Sequence, residues 1–142
     1  MVHLVKLCVG IESVAQLAAW IDYKKEIAEP GQHPHIHVTR MFPKRADEIR
    51  KGGSLYWVIK GAVQARQQII GIEQITGGDG IKRCAILLDD ELVLTQNQPR
   101  RAFQGWRYLS DDDAPDDIGS YEEGADDMPE DMRAELLKLG LL

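Results

Sequence analysis

Long apolar runs are missing from this chain of 142 residues. No stretch approaches the roughly 20 apolar residues that a membrane-spanning helix needs, so a helical membrane protein is excluded. The opening Met1 to Gly10 is too short and too alternating for a signal peptide, and it leads straight into a helical pattern. A cytoplasmic location is therefore expected. Cysteine is scarce as well. Cys8 and Cys84 each sit inside an apolar, strand-like run, where a thiol behaves as a small buried hydrophobe. Two such residues do not make a disulfide framework. A catalytic thiolate would need an electropositive, partly exposed niche. Lys82 and Arg83 precede Cys84, but neighbours along a strand point to opposite faces. Catalytic signatures are also missing. There is no Gly-x-Ser-x-Gly elbow and no Cys/His pair at a recognisable spacing. Gly77-Gly-Asp-Gly80 lacks the Lys-Ser/Thr of a phosphate loop and joins two strands rather than opening a helix. No catalytic residue is assigned, no cofactor is implied, and no internal repeat is visible.

What the chain does have is segregated charge. Residues 31–110 carry 12 Lys/Arg against 7 Asp/Glu, while residues 111–142 carry 2 against 12. The basic middle also holds Phe42, Tyr56, Trp57, Phe103, Trp106 and Tyr108. A net charge of −6 argues against tight, non-specific DNA binding, whereas a local basic and aromatic surface suits an anionic partner. An apolar content of 44% is enough for one cored domain.

Periodicity predicts the elements. Residues 2–9 read as a strand with apolar groups on both faces. Ser13 reads as a helix N-cap with Gln16 as its capping-box partner, and Val14, Leu17, Ala18, Ile21 and Ala28 form the apolar stripe. Pro30-Gly31 ends that helix. Trp20 and Tyr23 flank the stripe and are expected at its edge. A strand is expected over 35–42, stopped by Pro43, then a short helix over 44–50. Further strands are expected over 54–60, 64–75, 82–89 and 91–96, with Gly71 marking a bulge or bend. The short links Gly61-Ala62, 77–80 and Asp89-Asp90 favour antiparallel neighbours. These readings give an α+β domain over 1–110, an antiparallel β-meander that closes into a small barrel. The acidic residues 111–127 read as a solvated loop. Asp127-Met-Pro-Glu130 then starts a C-terminal helix over 128–142, which packs on the domain or extends from it.

Several strings together resemble a known family. They are His3 to Gly10, Thr39 to Arg45, Gly52 to Gly61, Gln64 to Arg66, Phe103 to Leu109 and Ala114 to Asp116. The chain resembles, over nearly its whole length, a bacterial family catalogued as domain of unknown function 1489. That resemblance brings no activity with it. The order of short helix, Gly-rich turn and strand meander is also similar to the PUA-like barrels, a group that includes many RNA- and modified-base-binding modules. The Glu-x-Arg-type signature of one branch of that group does not stand cleanly in this sequence. A likeness of architecture does not by itself establish function.

Four clusters are candidates for a site. His33, His35 and His37 alternate, so on a strand they share a face, and His35 and His37 are the candidate pair of metal ligands. Arg40, Lys44 and Arg45 gather around Pro43, where cations and a helix start can meet a phosphate. Tyr56 shares a strand face with Val58 and Lys60 and is the expected exposed platform for stacking a base, while Trp57 is expected in the core. Arg100, Arg101, Phe103, Trp106, Arg107 and Tyr108 form a second basic-aromatic group, read as loop, with Trp106 as a core plug or a second stacking ring. Arg40, Lys44, Arg45, Lys60, Arg66 and Arg107 would contact phosphates. The carboxylates at 111–117 lack the Gly and Glu of an EF-hand loop.

The leading expectation is an RNA- or nucleotide-binding module. It would use Arg40, Lys44, Arg45, Tyr56, Lys60, Arg66, Trp106 and Arg107. The alternatives are a metal-dependent enzyme on the histidine face and a protein-interaction module using 111–142. In the first case the acidic stretch can also fold over the basic surface as a nucleic-acid mimic.

Overall fold

The computed structural model describes residues 1–121, and the expected helix at 128–142 lies outside them. The elements in chain order are β1 (Val2–Leu7), α1 (Val14–Ile27), β2 (Ile36–Thr39), α2 (Ala46–Ile49), β3 (Ser54–Ile59), β4 (Ala62–Thr76), β5 (Lys82–Leu88), β6 (Val93–Pro99), β7 (Trp106–Ser110) and β8 (Asp117–Ser120).

One mostly antiparallel sheet runs in the order β2-β5-β4-β3-β1-β7; β6 branches from β4, and β8 pairs with β6. The α+β class expected from sequence is present. The barrel is not, because the sheet stays open. Three features depart from a meander. First, β1 pairs with β3 in parallel, Val5 opposite Tyr56, across a connection long enough to hold α1 and α2. Second, Asp89-Asp90 is not a hairpin turn. β5 and β6 follow one another along the same partner, β5 opposite residues 69–76 and β6 opposite residues 62–66 of β4. Third, the basic-aromatic segment read as loop is β7, antiparallel to β1. The acidic stretch read as solvated loop contains β8, antiparallel to β6.

Local chemistry accounts for the elements. Ser13 caps α1 by accepting the Gln16 backbone N–H at 3.1 Å, and the Gln16 side chain accepts the Glu12 N–H at 2.6 Å. Helical spacing then turns Leu17, Ala18 and Ile21 onto the sheet, where each large side chain contributes about 1.5–3 kcal/mol by burial. Trp20 and Tyr23 stack on each other at the exposed edge, as expected. Lys60 and Gly61 both have positive φ, the type I′ signature that turns β3 back into β4. β4 meets a register shift between Ile69 and Gly71 against β5, which is the bulge that Gly71 announced.

The core has two sides. Leu4, Leu55, Trp57 and Ile59 face α1 and α2, together with Ile86 and Trp106. Val5, Tyr56, Val58, Val63 and Leu109 face the other way, under Phe103 and Ala114. β3 is buried at all six positions. Parallel pairing asks for such cover on both faces, so a central strand here lacks the in-out alternation of a half-exposed one.

Candidate functional site

The edge strand β2 pairs only with β5, and α1 passes over the face beside it. Between them lies a cavity of about 170 Å³. His35 and His37 enter it from β2 and the residue just before it. Lys6 and Cys8 enter from β1 and its end, Trp20 and Lys24 from α1, and Trp57 and Gln67 from β3 and β4. Among the described residues no carboxylate lines it.

The polar groups of this wall fall into two kinds. Gln67 is spent on structure, since its side-chain oxygen accepts Trp57 Nε1–H at 3.0 Å and its Nε2 donates to the Asp89 carbonyl at 2.9 Å. The imidazoles are not spent. His35 is only 4% exposed, and the Nε2 atoms of both His35 and His37 are buried without a hydrogen-bond partner among the described residues. A buried polar atom left this way costs about 1–3 kcal/mol, and such atoms in a native fold ask for an explanation. The His37 ring stands edge-on to Trp57, centroids 5.2 Å apart, which fixes its direction.

The electrostatics follow from burial and from the lysines. Burial, aided by Lys6 and Lys24, pushes His37 down to about 4. Burial also lowers His35, with Lys24, His33 and Lys25 adding to the effect and Asp90 opposing it. Both imidazoles are therefore neutral at pH 7. Cys8 is raised to about 12 by burial, so it supplies no thiolate. Lys24 is lowered by burial, and its Nζ lies 3.5 Å from the Ile36 carbonyl and 5.9 Å from the Trp20 ring centroid. Lys6 has no side-chain partner among the described residues. The cavity thus joins two cations, two neutral imidazoles and an apolar wall. It can accept an anion and give it hydrogen bonds.

The histidine face is divided. His33 precedes β2, and its Nε2 is 2.9 Å from the Leu88 carbonyl oxygen, so it does not join the other two in the cavity. Pro34 breaks the strand alternation between them. Among the described residues, no group of three or more His, Cys, Asp or Glu is placed to hold a metal ion. The pair His35 and His37 is brought together, but without the third ligand that zinc needs.

The basic-aromatic residues are dispersed. Tyr56, expected as an exposed platform, is 5% exposed and lies edge-on to His3 at 5.1 Å, because both faces of β3 are covered. Trp106 is buried and donates Nε1–H to the Met41 carbonyl at 2.9 Å, so it is the core plug and not a stacking ring. Arg66 forms a two-bond pair with Asp117, at 2.8 and 2.7 Å, and also donates to Ser54 Oγ. Arg45 pairs with Glu48 at 2.6 Å and lies over the Tyr108 ring at 5.6 Å. Arg107 lies over Phe103 and donates to the carbonyls of Gln104 and Trp106. Arg40, Lys44 and Lys60 are exposed, Lys60 on the β3–β4 hairpin. The exposed rings among the basic residues are Phe42 and Tyr108, not Tyr56.

Sequence reasoning did not single out Lys6 and Lys24 as site residues. Their signal was present: Lys6 is the one charged residue in an apolar strand, and Lys24 follows the buried Ile21 by three. Nothing in the sequence said that strand and helix would converge on the histidines.

The family model described as "Protein of unknown function (DUF1489)" matches residues 4–142. No curated protein and no solved structure matches the chain. No helix among the described residues is long and apolar enough to cross a membrane.

Proposed function

The chain belongs to the DUF1489 family, and from its geometry we propose that it is a binding module for a small anionic molecule, held in the cavity between α1 and β2. The observation that carries this reading is the pair of buried Nε2 atoms that have no partner among the described residues, in a wall to which those residues bring lysines and no carboxylates. A pocket with a few converging polar groups and strongly shifted titrations is where a ligand site is sought first. The same atoms are a net cost to the fold when nothing engages them.

The test is thermal melting of the full chain in sodium formate, acetate, phosphate and sulfate, each matched to chloride in ionic strength. A ligand at 100 times its Kd stabilises by about 2.7 kcal/mol. At least one anion should raise Tm saturably above chloride, and Lys6→Met with Lys24→Met should remove the gain. If all four salts track chloride, the reading fails.

A second reading retains the RNA- or nucleotide-binding role on the outer surface. It is favoured by Arg40, Lys44 and Lys60, which are exposed and have no carboxylate partner among the described residues. It predicts RNA binding that weakens steeply with salt. Binding that is unchanged in the triple substitution of these residues to Gln would remove it.

A further inference from the structure

We propose that the cavity between α1 and β2 is a site for a small monocarboxylic acid, its carboxylate against His35 and His37 and its apolar body against Trp57, Leu17 and Ile21. This rests on the reading of the cavity as an anion site and narrows it to one class of anion.

Three observations favour a carboxylate over a phosphate. The first is the donor set. A carboxylate offers about four lone-pair sites on two oxygens. The donors that line the wall include His35, His37, Lys6 and Lys24. A phosphoryl group carries about −1.5 to −2 charge on three oxygens and is usually met by an Arg fork or by the backbone N–H groups of a helix start. Among the described residues no Arg lines the cavity. The helix beside it presents its side, through Leu17, Trp20, Ile21 and Lys24, while its N-terminus is closed by Ser13.

The second is size. A cavity of about 150 Å³ accepts benzene. The 170 Å³ available here takes a ring or short branched chain with a carboxylate, and does not take a nucleotide. The third is the apolar lining. Leu17, Ile21, Trp57 and Leu88 would desolvate a fully polar ion for no return, whereas an amphipathic acid buries its hydrocarbon against them.

Binding should also take up protons. The groups facing the two imidazoles are Lys6 from β1, Lys24 and Lys25 from α1, His33 from the segment before β2, and Asp90 from the β5–β6 link. Burial holds the imidazoles neutral, and four of the five, cationic or able to become so, add to it. A carboxylate between them reverses that balance and favours the imidazolium form. Affinity for the acid should therefore rise as pH falls from 7 towards 5.

The experiment is calorimetric titration of the full chain with benzoate, phenylphosphonate and benzamide at constant ionic strength, at pH 7 and pH 5.5. Imidazole resonances of the unmutated protein are followed by NMR in parallel. Benzoate is expected to saturate one site, to bind at least tenfold tighter than the other two and to bind tighter at pH 5.5. It should also move the His35 and His37 resonances and lose at least tenfold in affinity in His37→Leu. Phenylphosphonate binding as tightly as benzoate, with the same two histidines moving, would overturn the carboxylate assignment and leave the anion site standing. Benzamide binding as well as benzoate would overturn both. So would the absence of saturable heat from all three, or benzoate binding with both imidazole signals unmoved.

Discussion

Lowering the pH from 7 to 4.5 should cost this protein about 2 kcal/mol of folding stability through His37 alone. The imidazole titrates near 6.5 in an unfolded chain and is held down to about 4 in the fold. Between those values the unfolded state binds the extra proton. The stability that the neutral imidazole retains is complete above about pH 6.5 and is lost as pH falls towards 4. The slope reaches about 1.4 kcal/mol per pH unit in the middle of the window. His35 acts in the same direction. The depressed carboxylates work lower. Asp111 is held down by His3 and Asp117 by Arg66, so their contributions persist through this window and vanish at more acid pH. The assay is urea unfolding at half-unit steps from pH 7 to pH 4.5, for the natural chain and for His37→Leu. The variant should show a flatter profile by about 2 kcal/mol across the window. At pH 7 it should be as stable as the parent or more so, by up to about 1–3 kcal/mol, because an unpartnered buried nitrogen is gone. Parallel profiles, or a variant much weaker at pH 7, would refute the placement of His37 as a desolvated and unengaged imidazole.

Other outcomes follow from other contacts. A methyl at Gly53 would meet the backbone oxygens of Val2 and Ile49, the latter at 2.7 Å, so Gly53→Ala should lower the urea midpoint by about 3 kcal/mol of stability. Trp57→Phe leaves the buried Gln67 oxygen without its donor and should cost about 1–3 kcal/mol, read by thermal melting. Asp117→Asn breaks the two-bond pair that ties β8 to Arg66. That pair is partly exposed, so a double-mutant cycle with Arg66→Met should return a coupling of about 1 kcal/mol or less. Cys8, buried and titrating near 12, should resist a thiol reagent at pH 8 until urea unfolds the chain.

The sequence made the local structure legible where one neighbour decides the outcome. Ser13 with Gln16, the stripe Leu17-Ala18-Ile21 and the bulge at Gly71 are short-range physics, and all three stand in the fold. It failed where distant strands decide. Tyr56 and Val58 alternate with Trp57 as a half-exposed strand would, yet Phe103 and Leu109 close the second face from elsewhere in the chain. Trp106 to Tyr108 reads as loop from its place after the last expected strand; its partner β1 makes it a strand. The acid-rich segment before Ser120 offers little β-propensity, but Asp117 reaches Arg66, and β8 pairs with β6. The histidines were visible as a pattern. Their chemistry was not, because it depends on which groups share the cavity. Among the described residues Lys6 and Lys24 are there, carboxylates are not, and His33 is bonded elsewhere.

The place of β1 in the sheet also governs how the fold can be assembled. This strand is made early, yet it lies between β3 and β7, whose partner residues come about fifty and about a hundred positions later. A chain leaving the ribosome would have β3, β4 and β5 in hand while the β7 edge of Val2–Leu7 was still waiting. The last edge is satisfied only when Trp106–Ser110 arrives. An apolar strand exposed for that long is an invitation to wrong pairing. Lys6 sits near the end of that waiting edge, and a charge there discourages a second chain from pairing before the native partner does.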